Sequence, residues 1–228
     1  MKEPKTILLL DADNCLGISL AGALRHAGHV VLTHSRADQP DNVTDLVAAD
    51  VTTMLVTWHG TARPTPDHVV FGLRHEPESL ASVASIEAIE QNLAATLSEI
   101  KAAVQLLIRL DESQIWVCLQ EGSLQYYLPL PSHVIRTRAL MATVKSLAKE
   151  VFSYGIKLNA LHIQAMEEQF DKATWKAAKD GLKAFAIRFK PQKSRDVAAL
   201  IQSLLETDGL PVTGMILPVG IGFVETNV

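Results

Sequence analysis

Ser146-Leu147-Ala148-Lys149-Glu150-Val151-Phe152-Ser153-Tyr154-Gly155-Ile156-Lys157-Leu158-Asn159-Ala160-Leu161-His162-Ile163 decides the fold. Its first half extends a stripe of Leu140, Val144, Leu147 and Val151 at helical spacing, which predicts a helix from about Ser132 to Tyr154. Gly155 ends that helix, and Lys157 to Ile163 follows at once as a strand. The same grammar recurs outward in both directions. Ile7-Leu8-Leu9-Leu10 is a short, continuous apolar run, the pattern of a strand buried on both faces. After the polar turn Asp11 to Asn14, Leu16, Leu20, Ala23, Leu24 and Ala27 recur at helical spacing, with Gly28 placed to stop them. His29 to Thr33 and Met54 to Thr57 read as strands, and Ser85 to about Leu110 as the clearest helix. Gln114 to Leu119 reads as a strand, Ser194 to Leu205 as a helix and Met215 to Val219 as the last strand. Alternation of this kind predicts the α/β class: a doubly wound, largely parallel sheet in three layers, as one domain over residues 1–228. Ligands of such sheets sit beyond the carboxyl ends of the strands, which directs attention to the loops beginning at Asp11, Thr57, Gln120 and His162.

Composition narrows the function classes. The chain is 48% hydrophobic and 20% charged, with a mean hydropathy of +0.16, so a sizeable core is expected rather than disorder. A net charge of −4 gives no electrostatic case for nucleic acid or an anionic membrane. No apolar run approaches the roughly 20 residues that span a bilayer. Met1 to Lys5 leads only into Ile7 to Leu10 with no cleavage signal behind it, so a cytoplasmic protein is expected. Cys15 and Cys118 form neither a metal spacing nor a disulfide framework, and no His, Asp or Glu spacing suggests a metal.

The order of segments resembles the short-chain dehydrogenase/reductase superfamily, of the bacterial ketoreductase type. Ser146 to Glu150 and Tyr154 to Ala160 carry the likeness most strongly. Asp196 to Leu200, Val212-Thr213-Gly214, Leu217-Pro218-Val219 and Gly222-Phe223 match the closing segment, while Gly28 to Thr33 and Asn92 fit the first half. The resemblance implies a Rossmann-type fold. It also exposes a length mismatch: only 17 residues lie between Arg36 and Met54, so one βα unit is expected to be shortened or missing.

The family's chemistry is absent from the matching positions. Its glycine-rich first loop, whose bare backbone approaches a pyrophosphate, reads Leu10-Asp11-Ala12-Asp13-Asn14-Cys15-Leu16-Gly17, and only Gly17 survives. A carboxylate ~4 Å from a phosphate charge costs about 4 kcal/mol at an effective dielectric of 20, roughly a thousandfold in affinity. Without a ligand, Asp11 to Asn14 is a polar turn and helix cap. Cys15 at the helix start is a candidate low-pKa thiol. The family's catalytic tyrosine falls at His133, its lysine at Thr137 and its serine at Gln120, and no Tyr-x-x-x-Lys occurs anywhere. Trp58-His59-Gly60 stands where the family lines the cofactor, and His162-Ile163 where it has Pro-Gly.

A fold kept while its chemistry is deleted points to an interaction or structural role. The first reading is therefore a catalytically inactive homologue, a pseudoenzyme with no cofactor expected. It would form homo- or hetero-oligomers through the helices 85–110 and 132–154, whose faces carry Ala94, Ala95, Ala102, Ala103, Ala139, Ala142 and Ala148. By the resemblance, an active ketoreductase of fatty-acid or polyketide-type biosynthesis is the partner to look for. The second reading is an NADP-dependent oxidoreductase with a non-standard site. Its acid would be His133, Tyr126 or Tyr127, assisted by Asn92 and Gln120, and Gly17, Arg36 and Gly60 would hold the cofactor. The third is a small-molecule sensor whose cleft is lined by Trp58, His59, His133 and His162. Phe170 to Pro191 matches the family's variable substrate cover and is here basic and helix-like. A solvated helix face is the plain meaning of those lysines; docking to an acidic carrier protein is the other.

Overall fold

The computed structural model describes residues 3–36, 46–47, 50–74, 86–122, 124, 128, 134–182 and 190–220. Its elements in chain order are β1 (Thr6–Leu10), α1 (Cys15–His26), β2 (Val30–Ser35), β3 (Leu46–Val47), α2 (Val51–Val56), β4 (His68–Phe71), α3 (Ile86–Leu107), β5 (Gln114–Gln120), α4 (Val134–Val151), β6 (Lys157–Ile163), α5 (Lys172–Leu182), α6 (Ser194–Leu205) and β7 (Ile216–Val219). The strands form one parallel sheet in the order β3-β2-β1-β4-β5-β6-β7. The order reverses between β1 and β4, which opens a crevice at their carboxyl ends.

Both faces of the sheet are covered, as the continuous apolar runs require. Leu8, Leu10, Val69, Phe71, Ile115 and Val117 face Leu55, Ile100, Leu107, Leu140 and Val144 of α2, α3 and α4. Ile7, Leu9, Val70, Trp116 and Leu161 face Leu16, Leu20, Leu24, Val197 and Ile201 of α1 and α6. Alternate residues of one strand thus enter opposite cores. A smaller cluster of Leu124, Leu128, Ala165, Ala178 and Leu182 seats α5 over the carboxyl edge of the sheet. None of the described helices is long and apolar enough to cross a membrane.

One element differs from the sequence reading. Met54 to Thr57 is not a strand; Val51–Val56 is a helix, capped by Asp50, whose carboxylate accepts from the Thr53 N–H at 3.0 Å. Val51 and Leu55 are buried while Val56 is exposed, a burial of period four rather than two. The fourth strand is His68–Phe71, hidden in the sequence behind a Pro-containing approach and a polar first residue. The unit between β2 and β4 is therefore shortened, to a two-residue strand and a six-residue helix, and not missing. Trp58 is a core aromatic whose indole N–H donates to the Pro64 carbonyl. Gly60 closes the 3₁₀ turn Trp58–Gly60 on the amino-terminal side of β4, away from the carboxyl edge, and nothing within 4 Å would oppose a Cβ there.

His68 is buried in the sheet. Its Nδ1 accepts from the Gln114 N–H at 3.1 Å, and its Nε2 has no partner among the described residues. Burial first, then the Lys5 charge, pull its pKa down to about 3. The folded protein keeps His68 neutral while the unfolded chain protonates it below about pH 6.5, so stability falls with pH in that window. The fall is about 1.4 kcal/mol per pH unit. In urea titrations between pH 7 and 4, the stability of the parent relative to His68→Asn is expected to drop at that slope. A difference independent of pH would show that the imidazole is not held neutral.

Candidate functional site: the carboxyl edge at β1 and β4

The chain leaves β1 through Asp11, a buried residue with φ 51°, in the left-handed region where the family's loop has glycine. Its neighbours hold it there. The Ala12 N–H donates to the His34 carbonyl at 2.8 Å, and the Asn14 amide donates to the carbonyls of Asp11 and Leu73, both at 2.9 Å. The Asn14 Oδ1 accepts from the N–H groups of Leu16 and Gly17 at 3.1 and 3.0 Å. The backbone donors at the start of α1 are thus taken by the protein itself, and the expected polar cap is what stands there. A Cβ on Gly17 would lie 2.4 Å from the Ala12 carbonyl oxygen, and one on Gly72 would lie 2.6 Å from that of Asp11. The loop is clamped between helix and sheet.

The Asp11 side chain belongs to a cluster of four charges, its carboxylates buried and its guanidiniums half-buried. Arg36 Nε donates to Asp11 Oδ1 at 2.5 Å, and Arg74 Nε to Asp11 Oδ2 at 3.4 Å. Glu99 on α3, 2% exposed, receives Arg36 Nη2 at 3.0 Å and a close bond from Arg74 Nη2. Arg74 Nη1 donates to Thr96 Oγ1 at 2.8 Å, and Arg136 of α4 approaches the same hydroxyl at 3.4 Å. Burial opposes the charge on Arg36, yet Asp11 and then Glu99 hold its guanidinium above its ordinary value. The cluster ties the ends of β1, β2 and β4 to α3. Between Asp11, Gly72, Arg74, Thr96, Gln120 and Arg136 about 20 Å³ remains, room for a water molecule.

Of the candidate catalytic positions, Gln120 is engaged elsewhere. Gln120 is buried: its amide N–H donates to the Ile163 carbonyl at 2.9 Å and its oxygen accepts from Gln169 at 2.7 Å. Gln169 in turn receives the Met166 N–H at 2.8 Å, which locks the segment ahead of α5 onto the end of β5. Thr137 is buried and carries no charge with which to replace a lysine. Asn92 is half-buried, and its carbonyl accepts the Thr96 hydroxyl at 2.9 Å. His133, Tyr126 and Tyr127 lie outside the described residues. Arg36 points to Asp11 and Glu99 rather than outward, and Trp58 and His162 belong to opposite ends of the sheet, so they share no cleft. Cys15 is not a low-pKa thiol. Burial and then Glu168 raise it, and burial alone pushes Cys118 up to about 12. The described residues contain no group of three potential metal ligands.

Glu99, Thr96, Arg74, Arg136 and Gly72 were not singled out by the sequence. A signal existed for two of them. Asn92, Thr96 and Glu99 are spaced four and three apart, a polar stripe beside the apolar one of α3. Removing one member of a buried charge pair strands the others, at a cost of about 3–5 kcal/mol. Glu99→Leu is expected to lose about that much in urea denaturation. Adding Arg74→Met should recover part of the loss; costs that simply add would show that the four groups do not act together.

No family model matches the chain, and no curated protein matches it. Solved structures match along nearly its whole length. An oxidoreductase of the short-chain dehydrogenase/reductase family from Burkholderia thailandensis superposes with a TM-score of 0.70 at 18% identity, covering 96% of this chain and 92% of that one. A short-chain oxidoreductase from Pseudomonas aeruginosa, described as containing an atypical catalytic centre, gives 0.72 at 16% identity, covering 98% of both chains. A short-chain dehydrogenase from Leptospira borgpetersenii with bound NAD+ gives 0.69 at 14% identity, covering 97% and 93%. This chain has the three-layer, doubly wound fold of the short-chain dehydrogenase/reductases.

Proposed function

We propose that this chain is a non-catalytic member of that fold, serving as a structural or interaction subunit. The carrying observation is the cluster Asp11–Arg36–Glu99–Arg74 at the first loop. A dinucleotide does not fit the residues present. Its pyrophosphate needs the helix N–H groups that Asn14 already satisfies, and the place of the loop's first glycine is filled by a carboxylate bonded to two guanidiniums. The positions matching tyrosine, lysine and serine offer no buried acid–base pair among the described residues, and Gln120 has both its amide groups committed. The NADP-dependent reading draws on the fold alone. A sensor role would draw on the small space between Asp11, Gly72, Arg74 and Gln120, which has room for a water molecule.

Thermal shift with NADPH and with NADH at millimolar concentration tests the proposal. A cofactor present at a hundred times its Kd stabilises by about 2.7 kcal/mol, several degrees in a chain of this length. No shift is expected. A rise of several degrees would return the chain to the working reductases.

For the interaction role we propose the outer faces of α3 and α4. Ala102, Ala103 and Ala148 are packed in the core and are removed from that surface, while Ala94, Ala95 and Ala142 are exposed. Ile135, 63% exposed, is the most exposed large apolar side chain of α3 and α4 among the described residues. Light scattering after size-exclusion chromatography should give a dimer or larger, and Ala95→Glu with Ile135→Glu should yield monomer. A parent that is already strictly monomeric would remove this surface as a self-association site.

A further inference from the structure

The charge of the chain is unevenly placed. Residues 170–195 hold eight Lys or Arg against two Asp, a net +6 in a chain of net −4. The structure shows how part of that charge is displayed. Lys172, Lys176 and Lys179 follow one another at four and three residues on α5, all exposed, along one stripe about 10 Å long. Behind them Ala178 and Leu182 are buried against Leu124, Leu128 and Ala165. Lys190 and Lys193 flank a second segment, joined to the chain ahead of α5 by the Met166–Gln192 bridge and by the Glu167 N–H donating to the Gln192 carbonyl at 2.7 Å. None of these five lysines forms an ion pair with a described residue. Two carboxylates flank the row: Asp171 caps α5 by accepting the Thr174 N–H at 2.7 Å, and exposed Asp180 follows Lys179.

We propose that the exposed face of α5 is a docking surface for an acidic helix of a protein partner, with carboxylates at matching four- and three-residue spacing. Like charges at helical spacing repel, and an unpaired row held on a rigid, core-anchored helix is complementary to a rigid row of the opposite sign. A bilayer is the poorer occupant. The apolar side of α5 is already buried, its exposed residues besides the lysines are Ala173, Ala177 and Asp180, and none of the described residues of α5 offers a large apolar group to insert. Trp175 is turned inward: its indole N–H donates to the Glu167 carbonyl at 3.0 Å, and its ring meets Phe170 edge-on at 5.7 Å. The surface is separate from the charge cluster at the first loop, so it stands whether or not a dinucleotide binds there.

The test uses the full-length chain and two fluorescent peptides of identical composition, read by anisotropy at low and at physiological salt. One peptide is an Ala-rich helix with Glu at positions i, i+4 and i+7; in the other, the same residues are scrambled off that stripe. The striped peptide is expected to bind at least tenfold tighter. The triple variant K172E/K176E/K179E should lose that binding, while K145E/K149E on α4 should keep it, with circular dichroism showing both variants folded. Equal affinity for the two peptides overturns the proposal, as does binding unchanged in the triple variant. Capture of the parent, but not the triple variant, by phosphatidylserine vesicles in preference to the striped peptide would assign the surface to membranes and also overturn it.

Discussion

Two buried carboxylates and two half-buried guanidiniums at one corner of the sheet set the terms for the rest of the carboxyl edge. Each ion alone would cost several kcal/mol to remove from water. Together they are electrically balanced, and each charge has a partner with hydrogen-bond geometry. The arrangement constrains the backbone as well. Asp11 must leave β1 with a positive φ, so that its carboxylate faces both Arg36 and Arg74. Arg74 must follow Gly72, where a Cβ would strike the Asp11 carbonyl. Four separate elements thus meet through side chains at a place where a doubly wound sheet otherwise has a crevice.

The cluster changes the physical meaning of the altered loop. Taken as an isolated carboxylate, Asp11 repels a diphosphate through its charge. In the folded chain its charge is matched by Arg36 and Arg74, and repulsion is no longer the main obstacle. Under the proposed non-catalytic role, the obstacle to a dinucleotide is occupancy. The side chain stands at the place of the missing glycine, Asn14 accepts from the Leu16 and Gly17 N–H groups, and Arg36 is bonded to Asp11 and Glu99.

Most of the fold was legible because burial on both faces imprints itself on sequence. The runs Ile7 to Leu10, Gln114 to Leu119 and Lys157 to Ile163 name β1, β5 and β6, and the apolar period of α3 and α4 names the helices between them. The stretch from Arg36 to Phe71 was not legible. A two-residue strand and a six-residue helix carry too few periods to be told apart, and β4 opens on a buried histidine where an apolar residue was expected. That error moved the family's cofactor-lining positions from the Gly72 region to Trp58 and Gly60. The site suffered more for the same reason. Its members follow the ends of β1, β2 and β4 or lie on α3, so no local pattern joins them, and only Asn92, Thr96 and Glu99 leave a shared stripe.

The two ends of the cleft make the same point by different means. At the first loop, space is closed by ions that satisfy one another; at the far side, Gln120 and Gln169 join the end of β5 to the chain ahead of α5. A segment that must open gains nothing from a direct side-chain hydrogen bond across the opening. A segment that serves as a platform does, because a helix can present charge at fixed spacing only if its base is fixed. Phe170, Trp175, Ala178 and Leu182 supply that base from a cluster independent of the two main cores.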